Sequence, residues 1–167
     1  MPTPAFSIQP LEPGDYPAVR ELSRSLGRCS APERFAPGGC LLAAPSENGR
    51  LVGWAKAQWW DPQDPVAPAG YYLGGVEVDR RWRRRGVAAA LGLARLRWVA
   101  QRADAAWCVV NTRNSASLAL QRCLGFTVRA RGASFGTVEF TGGAGLLLCR
   151  PLEDFAPRDG ADNDEQK

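Results

Sequence analysis

Positive charge is concentrated in one short segment of this 167-residue sequence. Five arginines fall within six positions at residues 80–85, whereas the last residues of the chain are rich in acidic side chains. The net charge of the whole chain is only +4, so the segment is a local feature rather than a general basic character. Charge concentrated in one place predicts an anionic partner that binds there.

The basic segment joins a predicted strand to a predicted helix. Apolar residues over 71–78 are typical of a strand, and apolar residues at helical spacing follow over 87–103. At the start of that helix the backbone N–H groups have no intrahelical acceptor and lie at the positive end of the helix dipole. The small residues Gly86 and Ala88 let a diphosphate approach the backbone closely. The predicted phosphate site comprises Arg83, Arg84, Arg85, Gly86, Val87, Ala88 and Ala89.

The residue types that the sequence lacks exclude several kinds of chemistry. It contains no histidine, which removes a Ser–His or Cys–His nucleophilic pair and a histidine-ligated metal. Its five cysteines include no close pair, which indicates reduced thiols rather than a disulfide framework or a zinc site. No apolar run approaches the roughly 20 residues of a membrane span, and no signal-peptide pattern begins the chain. We therefore predict a cytoplasmic protein without a metal or a membrane partner.

The remaining pattern predicts one α/β domain over residues 1–152, followed by a polar, disordered tail over 153–167. Asp15 is expected to cap a first helix and Asn114 a last one, while Arg95 is expected off the apolar face of the middle helix. Strands alternating with helices favour a mixed sheet with helices on both faces. The predicted strands cover residues 6–9, 40–44, 51–60, 71–78, 106–110, 126–129 and 136–148.

Two segments resemble the GNAT N-acetyltransferase superfamily. Residues 83–88 read Arg-Arg-Arg-Gly-Val-Ala and match its Arg/Gln-x-x-Gly-x-Gly/Ala signature. Residues 114–126 begin with Asn and close on Leu-Gly-Phe, as a later segment of that family does. The resemblance implies the acyl-CoA N-acyltransferase fold: a mostly antiparallel sheet of about six to seven strands with a splayed parallel pair in the middle.

The resemblance also implies a function. The family transfers the acetyl group of acetyl-coenzyme A to a primary amine by direct attack in a ternary complex, and here we expect a small-molecule amine. A homodimer is compatible with the family. The pantetheine arm of the cofactor is expected to pair with the strand edge at Val76, Glu77 and Val78. Asn114 and Ser117 are expected to approach the cofactor from the helix that follows.

Two proton-handling positions of the family differ in this sequence. Many members have a tyrosine seven residues after the Asn, where this chain has Gln121, and some have a glutamate five residues before it, where this chain has Val109. Glu77, beside the predicted splay, is then the expected general base, although it could also be a strand glutamate that faces solvent. Tyr71 and Tyr72 are the expected proton donors.

Large aromatic residues precede the basic segment, and we expect them either to fill the core or to line an acceptor pocket. Trp59 and Trp60 are adjacent, so in a regular strand their side chains point to opposite faces. The other members of this group are Phe35 and Trp54.

Two other functions stay open. Gln121 and Val109 in place of the usual proton-handling residues allow an acyl-CoA-binding or regulatory module without turnover. The arginines at 80–85, interleaved with Trp82, also fit a nucleic-acid-binding protein, although no recognised nucleic-acid module accompanies them.

Overall fold

The computed structural model describes residues 5–35 and 37–155, and this part of the chain contains nine strands and three α-helices. The helices are α1 (Tyr16–Ser25), α2 (Val87–Ala100) and α3 (Ser115–Cys123). The strands are β1 (Gln9–Pro10), β2 (Cys40–Pro45), β3 (Leu51–Trp60), β4 (Gly70–Val78), β5 (Ala105–Asn111), β6 (Thr127–Gly132), β7 (Ser134–Phe135), β8 (Val138–Glu139) and β9 (Gly145–Pro151).

Seven strands form the central sheet in the order β1-β2-β3-β4-β5-β9-β6, and β7 pairs with β8 in a separate hairpin. All neighbours in the sheet are antiparallel except β4 and β5. Helix α1 packs on one face against Trp54, and α2 packs on the opposite face against Ala55 and Ala57. The predicted mixed, mostly antiparallel sheet with helices on both faces is confirmed.

The parallel strands β4 and β5 separate soon after they begin. They pair at Tyr71 with Ala106 and at Tyr72 with Trp107, and no pairing follows beyond these residues. On its other side β4 carries a bulge, because two residues, 74 and 75, lie opposite the single residue Lys56 of β3. A bulge bends its strand away from a straight path, which accounts for the separation.

Arg95 of α2 lies under this bulge and is completely buried. Its Nη1 donates hydrogen bonds of 3.0 Å to the carbonyl oxygens of Lys56 and Gly74, which the irregular pairing leaves available. Burial lowers the pKa of Arg95 to about 10. The expectation that Arg95 lies off the apolar face is therefore wrong, because this side chain satisfies backbone acceptors inside the sheet.

Several element boundaries differ from the sequence prediction. At the N-terminal end, residues 6–9 contain an isolated bridge at Phe6, and the paired strand is Gln9–Pro10. Residues 136–148 do not form one strand: Gly142 and Gly143 have φ values of 88° and 87°, which end the extended conformation between β8 and β9. Of the predicted tail, residues 156–167 lie outside the described part of the chain. None of the helices that the structure describes has the length and apolar character to cross a membrane.

Candidate functional site

A cleft of about 1020 Å³ follows the gap between β4 and β5. At one end it is bordered by the first turn of α2 and by α3, and at the other by β3 and the loop that joins β7 to β8. The bulge and the separation of the strands thus open a passage in the middle of the sheet. The basic segment lies at one end of this passage.

The turn before α2 adopts left-handed backbone conformations. Arg84 has a φ of 59° and Gly86 a φ of 82°, and a Cβ at Gly86 would meet no other protein atom within 4 Å. The first helical hydrogen bond runs from the N–H of Ala90 to the carbonyl oxygen of Gly86 at 2.9 Å. The N–H groups of residues 87–89 therefore have no helical acceptor, and Ala88 of this turn borders the cleft, so the start of α2 can take an anion there.

The arginine side chains of this turn are exposed, and two of them, Arg83 and Arg84, line the cleft. Asp79 fixes the start of the turn because its Oδ1 accepts a 2.9 Å hydrogen bond from the N–H of Arg81. The guanidinium of Arg85 lies over the ring of Trp82, 5.2 Å from its centroid. Among the described residues neither Arg83 nor Arg84 has an acidic partner, so both charges are available to a ligand.

The middle of the cleft is lined by the free edge of β4 and by α3. Because no described residue pairs with β4 beyond residue 72 on this side, Val76 and Val78 present backbone groups to the gap. Asn114 caps α3, where its Oδ1 accepts from the N–H of Ser117 at 3.1 Å, and both residues border the cleft. Gln121 is also in the wall: it is buried, and no described residue donates to its Oε1.

Glu77 carries the only carboxylate among the described residues that border the cleft. It is 3% exposed, so the alternative that it faces solvent is wrong. Its Oε1 accepts hydrogen bonds from Trp54 Nε1 at 2.6 Å and from Ser30 Oγ at 2.9 Å, and its Oε2 accepts one from Ser23 Oγ at 3.1 Å. An Arg28 guanidinium nitrogen lies 3.9 Å from Oε2.

The side chains of β3 alternate between the two faces of the sheet. Lys56, Gln58 and Trp60 border the cleft, whereas Trp59 is 57% exposed and packs edge-on against Tyr71. The prediction that Trp59 and Trp60 point to opposite faces is confirmed. Trp54 is buried and belongs to the core.

Two further side chains limit the chemistry of the cleft. The hydroxyl of Tyr72 donates a 2.7 Å hydrogen bond to the carbonyl oxygen of Pro68, and burial raises the pKa of Tyr72 to about 12. Burial also raises the pKa of Cys108, the cysteine that borders the cleft, to about 12. A thiol with that pKa stays protonated at neutral pH and is a poor nucleophile.

The predicted site did not include Arg28 and Lys56, which both border the cleft. One signal in the sequence points to Lys56. Of the 21 basic residues only two are lysines, and the other is the last residue of the chain. The alternation of β3 also places Lys56 on the same face as Trp54 and Trp60.

Solved structures share this fold. The ribosomal-protein-S18-alanine N-acetyltransferase from Escherichia coli superimposes with a TM-score of 0.70 at 18% identity, and the match covers 97% of this chain and 99% of that one. The phosphinothricin acetyltransferase from Sinorhizobium meliloti, in complex with AcCoA, has a TM-score of 0.70 at 17% identity over 96% of this chain and 97% of its own.

A third similar structure is Arabidopsis thaliana NAA60 in complex with acetyl-CoA, with a TM-score of 0.68 and 16% identity over 88% of this chain and 98% of its own. No curated protein sequence matches the chain. The profile described as "Acetyltransferase (GNAT) family" matches residues 7–126, which is well over half of the sequence. This protein therefore belongs to the GNAT acetyltransferase family.

Proposed function

We propose that this protein transfers the acetyl group of acetyl-coenzyme A to a primary amine of a small molecule. The observation that supports this most directly is the continuous cleft, which joins the N-terminus of α2 to Glu77 and Trp60 through the gap between β4 and β5. A long, flexible thioester fits such a passage, with its phosphates at one end and its reactive carbon at the other.

The residues of this chain have distinct roles in holding the cofactor. Free N–H groups of residues 87–89 bind the diphosphate, and Arg83 and Arg84 add charge. Arg85, whose guanidinium lies over the ring of Trp82, adds positive charge at a greater distance from the diphosphate. Backbone groups of residues 76–78 pair with the pantetheine amides.

Helix α3 forms the opposite wall of the part of the cleft that holds the cofactor. The Oε1 of Gln121, which has no donor among the described residues, accepts a hydrogen bond from a pantetheine N–H, which relieves a buried acceptor. Asn114 and Ser117 shape the same wall, and the Asn114 side chain also holds the start of α3. When bound, acetyl-coenzyme A supplies an activated acyl group.

Transfer occurs in one complex that contains both substrates. The amine nitrogen of the acceptor forms a bond to the acetyl carbonyl carbon, the carbon–sulfur bond breaks, and the thiolate of coenzyme A departs with the bonding electrons. Cys108 stays protonated, so the chain offers no activated thiol at the cleft for an acetylated intermediate. Direct attack is the mechanism that this arrangement favours.

The proton of the attacking amine passes to Glu77 through water. Glu77 is the only carboxylate among the described residues that border the cleft. The departing thiolate receives its proton from solvent. Tyr72 is not the donor in this scheme, because its hydroxyl is bonded to Pro68. Gln121 cannot act as an acid, since an amide does not release a proton at neutral pH.

Calorimetry and an assay of thiol release test this function together. We expect acetyl-coenzyme A to bind with a dissociation constant of about 1–100 μM, in the range typical of enzyme substrates. Folded protein that does not bind it would refute the proposal. Binding without thiol release across a broad panel of amines would instead favour the non-catalytic module. Nucleic-acid binding that weakens steeply with salt would favour the remaining alternative.

Glu77→Gln separates the chemistry from binding. The variant should bind acetyl-coenzyme A like the wild type, while kcat falls by about a hundred- to ten-thousandfold, as expected for the loss of a general base. Ser30→Ala is the matched control, because it removes one hydrogen bond from Glu77 but keeps the carboxylate. An unchanged kcat in Glu77→Gln would exclude Glu77 as the base.

A further inference from the structure

We propose that Lys56 and Arg28 form an anion-binding subsite for the acceptor, so that the substrate is an amine that also carries a carboxylate or a similarly compact anionic group, as an amino acid does. This inference rests on the proposed acetyl transfer and names the class of acceptor. It follows from the position of the two cations, from the charge balance around them and from the face of the sheet on which they lie.

Lys56 is held in the wall of the cleft by contacts along its whole length. Its aliphatic stem crosses Gly74, because a Cβ added at Gly74 would overlap the Lys56 side chain. Its ammonium lies over the ring of Phe35, 3.7 Å from the centroid. The charge is thus presented at a defined place rather than on a free surface chain.

Lys56 forms no salt bridge with a carboxylate among the described residues. Burial lowers the pKa of Lys56, which shows that the folded chain penalises the ammonium form. A half-buried cation without a counter-charge is costly, and an anionic ligand in the cleft would relieve that cost.

Arg28 supplies a second cation at the same cleft. Its guanidinium is 3.9 Å from Glu77, but the Glu77 oxygens already accept hydrogen bonds from Trp54, Ser23 and Ser30. With a side chain that is 56% exposed, Arg28 keeps donors available for a ligand. The end of the cleft that is proposed to bind the acceptor therefore has two cations and one carboxylate that already accepts hydrogen bonds from the protein.

These cations are not part of the diphosphate site. The neighbours of Lys56 along β3, Ala55 and Ala57, pack against α2, whereas Lys56 contacts Phe35, which stacks on Trp54 beneath α1. Lys56 thus lies on the face of the sheet opposite α2, at whose N-terminus the phosphates are placed. An anion that binds Lys56 would therefore belong to the acceptor and not to acetyl-coenzyme A.

The test measures the binding of acetylated products, which needs no turnover. Each pair consists of an N-acetyl amino acid and its amide, which has nearly the same size but no negative charge. N-acetylglycine, N-acetylphenylalanine and N-acetylmethionine are compared with N-acetylglycinamide, N-acetylphenylalaninamide and N-acetylmethioninamide by calorimetry, with and without coenzyme A. In at least one pair we expect the carboxylate to bind about tenfold more tightly or better, as a charge-assisted hydrogen bond implies.

Variants of Lys56 and Arg28 show which side chain produces the preference for the carboxylate. Lys56→Met keeps the length of the side chain and should reduce the preference to within about twofold. Arg28→Met, at an exposed position that tolerates substitution, should reduce it about threefold. Lys56→Arg restores the charge and should retain most of the preference for the carboxylate. Arg131→Met removes an exposed charge on β6 outside the cleft and should leave that preference intact.

The outcomes separate this inference from the proposed function. No preference for the carboxylate in any pair, or a preference that survives Lys56→Met, would overturn the anion subsite. Failure of acetyl-coenzyme A to bind would refute the proposed acetyl transfer itself. A separate titration measures that binding. A carboxylate preference that is lost in Lys56→Met supports the subsite whichever amine is finally acetylated.

Discussion

The indole Nε1 of Trp54 donates a 2.6 Å hydrogen bond to the carboxylate of Glu77, and these residues lie opposite each other on β3 and β4. The bond crosses the two strands beside the bulge from which the cleft opens. Phe35, stacked on Trp54, extends the contact toward Lys56. One pair of side chains thus connects the core under α1 to the part of the cleft that Lys56 borders.

Trp54→Phe should destabilise the protein by about 2 kcal/mol, because it leaves a buried carboxylate with one donor fewer and a small void. Urea denaturation measures the loss. Trp59→Phe is the matched control: Trp59 is 57% exposed and on the opposite face, so its replacement should cost less than about 0.5 kcal/mol. Equal losses in the two variants would mean that the bond to Glu77 contributes nothing specific.

Gly86→Val should weaken the binding of acetyl-coenzyme A by at least about tenfold, because a β-branched side chain is strained at a φ of 82° and would shift the turn that presents the free N–H groups of residues 87–89. Gly49→Val is the control, since Gly49 has a φ of 76°, also has open space around it, and lies in the turn between β2 and β3. Both variants should lose about 1–2 kcal/mol of stability. Calorimetry should find the affinity reduced in Gly86→Val alone; parallel losses would place the diphosphate elsewhere.

Gln121→Leu should reduce the affinity for acetyl-coenzyme A by about three- to tenfold without destabilising the free protein. The reason is that Oε1 of Gln121 has no donor among the described residues, so an apolar side chain of similar size removes an unsatisfied acceptor. Calorimetry and thermal unfolding of the same samples measure the two effects. A large loss of stability would show that Gln121 has a structural partner, and an unchanged affinity would exclude it from the cofactor wall.

Tyr72→Phe should cost about 1 kcal/mol of stability through the lost hydrogen bond to Pro68 and should leave kcat within about twofold of the wild type. Its hydroxyl, with a pKa of about 12, remains protonated across the range of an ordinary pH–rate profile. Thiol release at pH 6–9 checks the second expectation. A fall in kcat of a hundredfold would instead identify Tyr72 as the general acid.

The features that were predicted correctly from the sequence are local ones. The basic turn and the Asn that caps α3 are contiguous patterns, and the order of strands and helices follows from short-range periodicity. The burial of Glu77 depends on donors 47 and 54 residues away in the sequence, Ser30 and Ser23, which leave no local pattern. The burial of Arg95 depends on a bulge between β3 and β4 and on two carbonyl groups within it. Such contacts arise only when distant segments pack.

The ammonium of Lys56 should make the protein less stable at neutral pH than it would be without that charge. Burial lowers the pKa of Lys56 below its ordinary value of 10.5 in the folded state. Below both pKa values the folded and the unfolded chains hold the proton, so the folded chain carries the whole cost of burying the charge. Lys56→Met should therefore increase the free energy of unfolding at pH 7 by up to about 1 kcal/mol, after allowing for the contact with Phe35.

The lowered pKa of Lys56 also determines how the free energy of unfolding changes with pH. Between the lowered pKa and 10.5 the unfolded chain binds more protons than the folded chain, so the stability of the wild type rises with pH relative to Lys56→Met. Urea denaturation of both proteins at pH 7 and pH 10 should show the advantage of the variant shrinking. Arg131→Met, an exposed change of the same charge, should show neither effect. If Lys56→Met is instead less stable at pH 7, the ammonium is already compensated within the protein, and an anionic acceptor would gain nothing by relieving its burial.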